Sequence, residues 1–239
     1  MRIAVVGDIH GNRTAFAAVL ADLREAAPDL IFHSGDLADG GAGPVEIVDQ
    51  VRDLGWPGVV GNTDEMLFRP EALTEFAEQS PRFQLFLSAV QEMAASTRAA
   101  LGAERLAWLS ELPRVQVRET MALVHANPES AWRAPAVDAA DGELESVYGP
   151  MGRAVAVHGH IHHPYIRKVG RITVANTGSV SLSYDGDRRA AYLLLDEGTP
   201  SIRRVEYEVE RELKALGECG MPHADWVARI LASGRPQMP

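Results

Sequence analysis

Met1-Arg2-Ile3-Ala4-Val5-Val6-Gly7-Asp8-Ile9-His10 opens the chain and sets its fold class. Ile3 to Val6 is a continuous run rich in β-branched residues, the pattern of a strand buried on both faces. The run stops at a glycine and a carboxylate, too short for a signal-peptide core. Outward from it, residues 14–27 place Phe16, Val19, Leu20 and Leu23 on one helical face. Leu30 to Phe32 fits a second strand. A second helix follows, with Pro44 suited to its first turn and Gly55 to its end. Val59-Val60 starts a third strand. This is the βαβαβ rhythm of a layered α/β sheet.

Residues 65–112 break the rhythm. Phe83, Phe86, Leu87, Val90 and Met93 have helical spacing, Ala103 to Leu112 reads as another helix, and Pro81 and Gly102 punctuate the stretch. Two arrangements fit: a small helical cap inserted within one domain spanning 1–239, or helices that simply cover the sheet. Strands are expected again at Met121–Val124, Ala154–Val157, Ile172–Ala175 and Ala191–Leu195, with Ile202–Val209 last as an imperfectly alternating edge. Residues 127–153, rich in Ala, Pro, Gly and acidic groups, read as a long loop. Trp226, Val227, Ile230 and Leu231 share one face of a helix over Ala224–Ser233 that should pack back onto the domain. There are no internal repeats.

The 239 residues suit one substantial domain, and 46% hydrophobic with 23% charged residues is ordinary globular composition. Such a chain can bury its core without structural metals, so any metal it binds is expected to serve function. Cys219 is the only cysteine, so no intramolecular disulfide forms. No apolar stretch is long enough to cross a bilayer, and the expected address is the cytoplasm. A net charge of −10 repels nucleic-acid backbones at long range, which makes stable nucleic-acid binding the weaker reading.

Five short signals fall where strand-like runs stop. They are Asp8-Ile9-His10, Gly35-Asp36, Gly61-Asn62-Thr63-Asp64, His125, and Gly159-His160-Ile161-His162. In open α/β sheets, ligands collect at the carboxyl ends of the strands. Carboxylates with imidazoles suit ions of intermediate softness such as Mn, Fe or Zn. Alternate spacing in Asp8/His10 and His160/His162 puts each pair on one side of an extended backbone. Four of the eight histidines lie between His158 and His163. Singly, each signal is an ordinary turn or cap; the ordered set is what carries meaning.

That set resembles the calcineurin-like metallophosphoesterase superfamily over residues 8–162. Asn176-Thr177-Gly178-Ser179-Val180-Ser181 is similar to the N-P-G-S-V segment that follows G-H-x-H in its small bacterial and archaeal phosphodiesterase branch. The resemblance implies a two-sheet β-sandwich flanked by helices. It also implies two divalent ions, Mn²⁺ foremost, with Fe, Zn or Ni as alternatives. Asp8, His10, Asp36 and His162 would ligate one ion, and Asp36 would bridge to a second held by Asn62, His125 and His160. The implied chemistry is hydrolysis of a phosphodiester or phosphoanhydride through a hydroxide activated by the metal pair, with Asp36, Asn62 and His125 as catalytic residues. The implied partner is a small phosphorylated substrate, a nucleotide among the candidates, with no membrane. The sequence sets neither an oligomeric state nor any substrate-binding residue. Many relatives carry histidine where this chain has Thr63, and a hydroxyl has no useful pKa for protonating a leaving oxygen. Good leaving groups are therefore expected to react best.

Other residues are set aside. His158 reads as packing, His163 as surface, His33 as structural, Arg13 as either a phosphate clamp or plain surface, and Asp64 as orienting a ligand or the turn. Gly40-Gly41-Ala42-Gly43 lacks the Gly-Lys-Ser/Thr of a nucleotide loop. Rival functions are a dinucleoside polyphosphate hydrolase, a serine/threonine protein phosphatase and, from another class, a non-catalytic interaction scaffold.

Overall fold

The computed structural model describes residues 1–239. Its strands are β1 (Arg2–Val6), β2 (Leu30–His33), β3 (Val115–Val117), β4 (Met121–Val124), β5 (Val155–His158), β6 (Tyr165–Val169), β7 (Ile172–Asn176), β8 (Ala190–Asp196) and β9 (Thr199–Val205). Its helices are α1 (Arg13–Ala26), α2 (Pro44–Asp53), α3 (Asn62–Phe68), α4 (Glu71–Glu78), α5 (Leu87–Ser110), α6 (Asp141–Tyr148), α7 (Val209–Glu218) and α8 (Ala224–Ser233).

The strands form two sheets, ordered β2-β1-β8-β9 and β3-β4-β5-β7-β6. Within β1 the pleat divides the work. Ile3 and Val5 join Phe32, Leu123, Val157 and Leu193 in the core between the sheets. Ala4 and Val6 face the other way, into the larger core beneath α1, α2 and the 62–112 helices, with Phe16, Val19, Ile47, Met66 and Leu101. The outer face of the second sheet is covered by α6 through Leu144 and Tyr148. The chain is thus a two-sheet sandwich flanked by helices, and the unbroken apolar run Ile3–Val6 is what a layer between two cores requires.

β1, β2, β4, β5 and β7 run so that the parallel pairs β1–β2, β4–β5 and β5–β7 release their carboxyl ends at one edge of the sandwich. Four of the five signals follow those ends directly.

Several expectations are corrected. Val59-Val60 builds no ladder: a single bridge joins His33 to Gly58, after which the Val60 amide donates to the Pro113 carbonyl and the chain leaves the sheet. The last strand is Thr199–Val205, not Ile202–Val209. It pairs only with β8, so Pro200 is tolerated on an edge. Val209 instead starts α7, where Val209, Glu212 and Leu216 share a buried face at helical spacing. Residues 127–153 are not all loop, since α6 lies within them. β3 and β6 are short strands outside the sequence reading. Gly102, at φ 69°, kinks α5 into two helical pieces. α8 matches its expected bounds and packs Val227, Ile230 and Leu231 against Met93 and Leu182.

Candidate metal centre

The loops at the shared edge are tied to one another before any side chain is considered. The amides of Ile9 and His10 both donate to the Asp36 carbonyl, at 2.9 and 3.0 Å, joining the first signal to the second. The Thr63 amide donates to Asp36 Oδ1 at 2.9 Å, joining the third. The His160 amide points at the Asp8 carboxylate, at 3.2 Å to its nearer oxygen. Gly61 is needed at this junction because a Cβ there would lie 2.0 Å from Asp36 Oδ1.

The backbone is strained where the signals lie. Asp8, His10, Asp36, His160 and His162 all have positive φ, between 47° and 70°. Only eight residues other than glycine do so in the whole chain, so five of the eight are candidate ligands. Each such residue costs about 1–3 kcal/mol, and the loop-to-loop bonds above hold them there.

The side chains converge. One donor atom from each of Asp8, His10, Asp36 and His162 lies within 4.8 Å of the others, and all four residues are buried. On the other side of Asp36, Asn62 Oδ1 is 2.9 Å from His125 Nε2 and 2.8 Å from His160 Nδ1. Asp36 Oδ2 itself is 3.7 Å from His10 Nε2 and 3.4 Å from His125 Nε2. A single carboxylate oxygen therefore reaches toward both groups, and all seven residues expected as ligands are gathered around it.

Histidine tautomers are set by the backbone. Nδ1–H of His10 donates to the Asp39 carbonyl at 2.6 Å, that of His125 to Ser34 at 2.7 Å, and that of His162 to Leu182 at 2.6 Å. Each donation leaves the Nε2 lone pair pointing inward. His10 Nε2 and His162 Nε2 then face each other at 3.2 Å. Two lone pairs so placed repel unless a cation or proton lies between them. The donor set, its burial and its orientation fit divalent metal ions.

Ionisation in the metal-free protein follows the same geometry. Burial opposes a charge on His125, but Asp36 overrides it and pushes the imidazole up to about 9. Burial would likewise raise Asp36, yet His125 and His10 hold its carboxyl well below the usual carboxylate range. His160 is pushed down to about 3 by burial and by His125. In the metal-free protein His125 thus holds its proton beside the Asp36 carboxylate, and a cation binding its Nε2 would have to displace that proton.

Asp64 is not one of the converging donors. Its carboxylate accepts from the amides of Asp36, Leu37 and Gly61 at 2.8, 2.9 and 3.1 Å, capping α3 and fixing the second signal at once. His158 points out of the centre, against Tyr148 and the Tyr165 hydroxyl at 2.8 Å. His163 is partly exposed beside it. His33 is buried with both ring nitrogens unpartnered. Arg13 turns to Glu46 at 2.6 Å and does not face the centre.

Sequence reasoning missed two neighbours. Tyr184 stacks on His162 with ring centroids 4.6 Å apart. Asp39 is buried and accepts from the Thr97 hydroxyl at 2.6 Å, with burial, and to a lesser degree Asp36 and Asp64, raising its carboxyl to about 7. Asp39 stands only three residues beyond Asp36, but nothing in its spacing marks it. Both line a cavity of ≈ 380 Å³ that opens from the centre, with His10, Asn62 and Thr63 at its floor.

The chain is similar to several known proteins. An uncharacterised protein of Methanocaldococcus jannaschii is 29% identical over 257 residues, covering 98% of both chains. A Synechococcus sp. protein named "probable cyclic nucleotide phosphodiesterase" is 27% identical over 188 residues, 71% of each chain. The crystal structure of a metallophosphoesterase from Sphaerobacter thermophilus superposes with a TM-score of 0.78 at 24% identity, covering 98% of this chain and 99% of that one. The calcineurin-like phosphoesterase superfamily domain matches residues 1–199, and the chain belongs to that family of phosphoester hydrolases.

Proposed function

We propose that the protein hydrolyses phosphodiester or phosphoanhydride bonds of a small substrate with two divalent ions, Mn²⁺ being the first candidate. Asp8, His10, Asp36 and His162 would hold one ion; Asn62, His125 and His160, with Asp36 shared, would hold the other. Bound there, the ions would lower the pKa of a shared water and neutralise charge on the phosphoryl oxygens. The observation that carries the reading is the position of Asp36 Oδ2, within reach of both groups while three imidazoles turn their Nε2 atoms inward. The likeness to a protein named as a cyclic nucleotide phosphodiesterase supports a diester over a monoester.

The protein's own residues would act by position. Backbone carbonyls of Ser34, Asp39 and Leu182 keep three imidazoles in one tautomer, and the Thr63 amide orients Asp36. Thr63 Oγ1 is buried without a partner at the cavity floor, free to donate to a substrate oxygen but unable to act as a proton reservoir at neutral pH. We read α3, α4 and the first part of α5 as a cap, because Met66, Leu73, Phe83, Phe86, Val90 and Met93 from them wall the cavity.

The test uses chelator-stripped protein, alone and with added Mn²⁺, on an activated aryl phosphodiester, its monoester and a simple alkyl monophosphate. Metal-restored cleavage is expected, diester ahead of alkyl monophosphate, and Asp36→Asn should lower it by about a hundredfold or more. Fast turnover of alkyl monophosphates would sink the leaving-group argument. Silence with Mn²⁺, Fe²⁺, Zn²⁺ and Ni²⁺, together with no calorimetric metal binding, would favour an interaction scaffold instead.

A further inference from the structure

The cavity beside the centre has a chemistry of its own. Its aromatic wall is a connected row: Trp132 packs on Phe76 at 5.2 Å between centroids, Phe76 on Phe83 at 5.1 Å, Phe83 on Phe86 at 4.6 Å, and Phe86 on Trp226 at 6.1 Å. Phe76 backs the row, and the other four line the space. Tyr184, stacked on His162, continues ring surface down to the candidate ligands. Thirteen of the twenty lining residues are hydrophobic, and none is Lys or Arg. Asp39 supplies the only carboxylate among them.

Such a lining discriminates by charge. A chain of phosphates needs cations or amide donors along its length, since burying an unpaired anion is costly. Here the two metal sites could engage one phosphate, but further anions would meet apolar rings and a carboxyl group. An uncharged flat ring, in contrast, would stack edge-to-face or offset against the row and lose little rotamer freedom in doing so. The volume lies in the range of small-molecule sites.

We propose that the substrate presents a single phosphate to the centre and carries an uncharged aromatic group, which the Trp132–Phe83–Phe86–Trp226 wall binds. This rests on the phosphoesterase reading and narrows it away from dinucleoside polyphosphates.

Calorimetric binding of three probes to Mn²⁺-loaded protein tests it: methyl phosphate, 1-naphthyl phosphate, and phosphoglycolate, whose second anion stands in for additional phosphate charge. The naphthyl probe is expected to bind about tenfold tighter than methyl or more. Phosphoglycolate should bind more weakly than the naphthyl probe. Two variants alter the wall in opposite ways: Phe86→Ala removes a ring, and Val90→Trp fills the space. In both, checked for folding by circular dichroism, the naphthyl-to-methyl ratio should fall toward one. Equal affinities for methyl and naphthyl probes, tightest binding of phosphoglycolate, or an unchanged ratio in both variants would overturn the proposal. The two readings fail separately. Turnover of diesters with no naphthyl preference removes only the aromatic group, whereas naphthyl binding without any metal-dependent hydrolysis removes the phosphoesterase reading and leaves a ring-binding cavity.

Discussion

His33 ends β2 with both ring nitrogens buried and unpartnered, packed near Trp108, and burial alone pushes its pKa from 6.5 down to about 4. The unfolded chain protonates this ring near its ordinary value, while the folded protein resists. Stability is therefore intact above about pH 6.5 and is lost as pH falls toward about 4, by about 3 kcal/mol in full. His33→Leu should remove that loss. Denaturant unfolding at about pH 7 and pH 4.5 checks it: the wild type should lose about 2–3 kcal/mol more than the variant on acidification. Equal losses would mean that His33 is not the group that titrates. The same residue type behaves otherwise far along the chain. His160 and His162 sit at positive φ in the centre, whereas His158 stacks on Tyr148 in the strand before them. The expectation that alternate spacing on an extended backbone aligns the pair is corrected here: β5 ends at His158, and His160 and His162 reach the centre from a left-handed loop. Nothing local could announce Tyr184 or Asp39, whose positions depend on loops that meet only in the fold.

α3 begins at the third signal, and one carboxylate decides how. Asp64 accepts from three amides, two of them in the Asp36 loop and one at the N-cap residue Gly61. Replacing it by alanine strands three buried donors, so Asp64→Ala should cost about 2–4 kcal/mol and weaken Mn²⁺ binding about tenfold or more. Asp64→Asn keeps an acceptor and should fall between. Chemical denaturation and metal titration read both; a loss of stability with unchanged metal affinity would show that the cap is independent of the centre. At this scale the sequence was uneven. α1 and α8 stood out because each carries a complete apolar stripe. α7 did not, since its buried face includes Glu212, which accepts from the Thr14 hydroxyl at 2.6 Å at the start of α1. A charged residue on an inward face hides a helix from a hydrophobic pattern. α6 was hidden similarly within an acidic, Gly- and Pro-bearing stretch, and β3, three residues long, offers too short a period to detect.

The candidate ligands come from both sheets: Asp8, His10 and Asp36 follow strands of one, and His125, His160 and His162 follow strands of the other. A bound ion would therefore staple the two halves of the sandwich and stabilise the entire fold. With free Mn²⁺ about a hundredfold above its Kd, Tm should rise by about 5–10 °C. Asp36→Asn should show no such rise in scanning calorimetry; a rise of equal size in the variant would place the ion elsewhere. The βαβαβ opening foretold strands with ligand-bearing ends, and family likeness supplied the second sheet. What no stretch of residues could state is that β8 lies against β1, since that pairing joins residues 2–5 to 193–196. The Asp8 loop also depends on distant chain, with the Val180 and Ser181 amides donating to Gly7 and Asp8 and the Ser179 hydroxyl donating to Asp8. During synthesis from the N-terminus, Asp8 is thus made long before residues 179–181, whose hydrogen bonds hold its loop. For most of translation these first candidate ligands would lack the later ones, and an ion captured early would be held by an unfinished, exchangeable set. If the centre takes an ion as proposed, its choice of metal would belong to the folded chain and not to the nascent one.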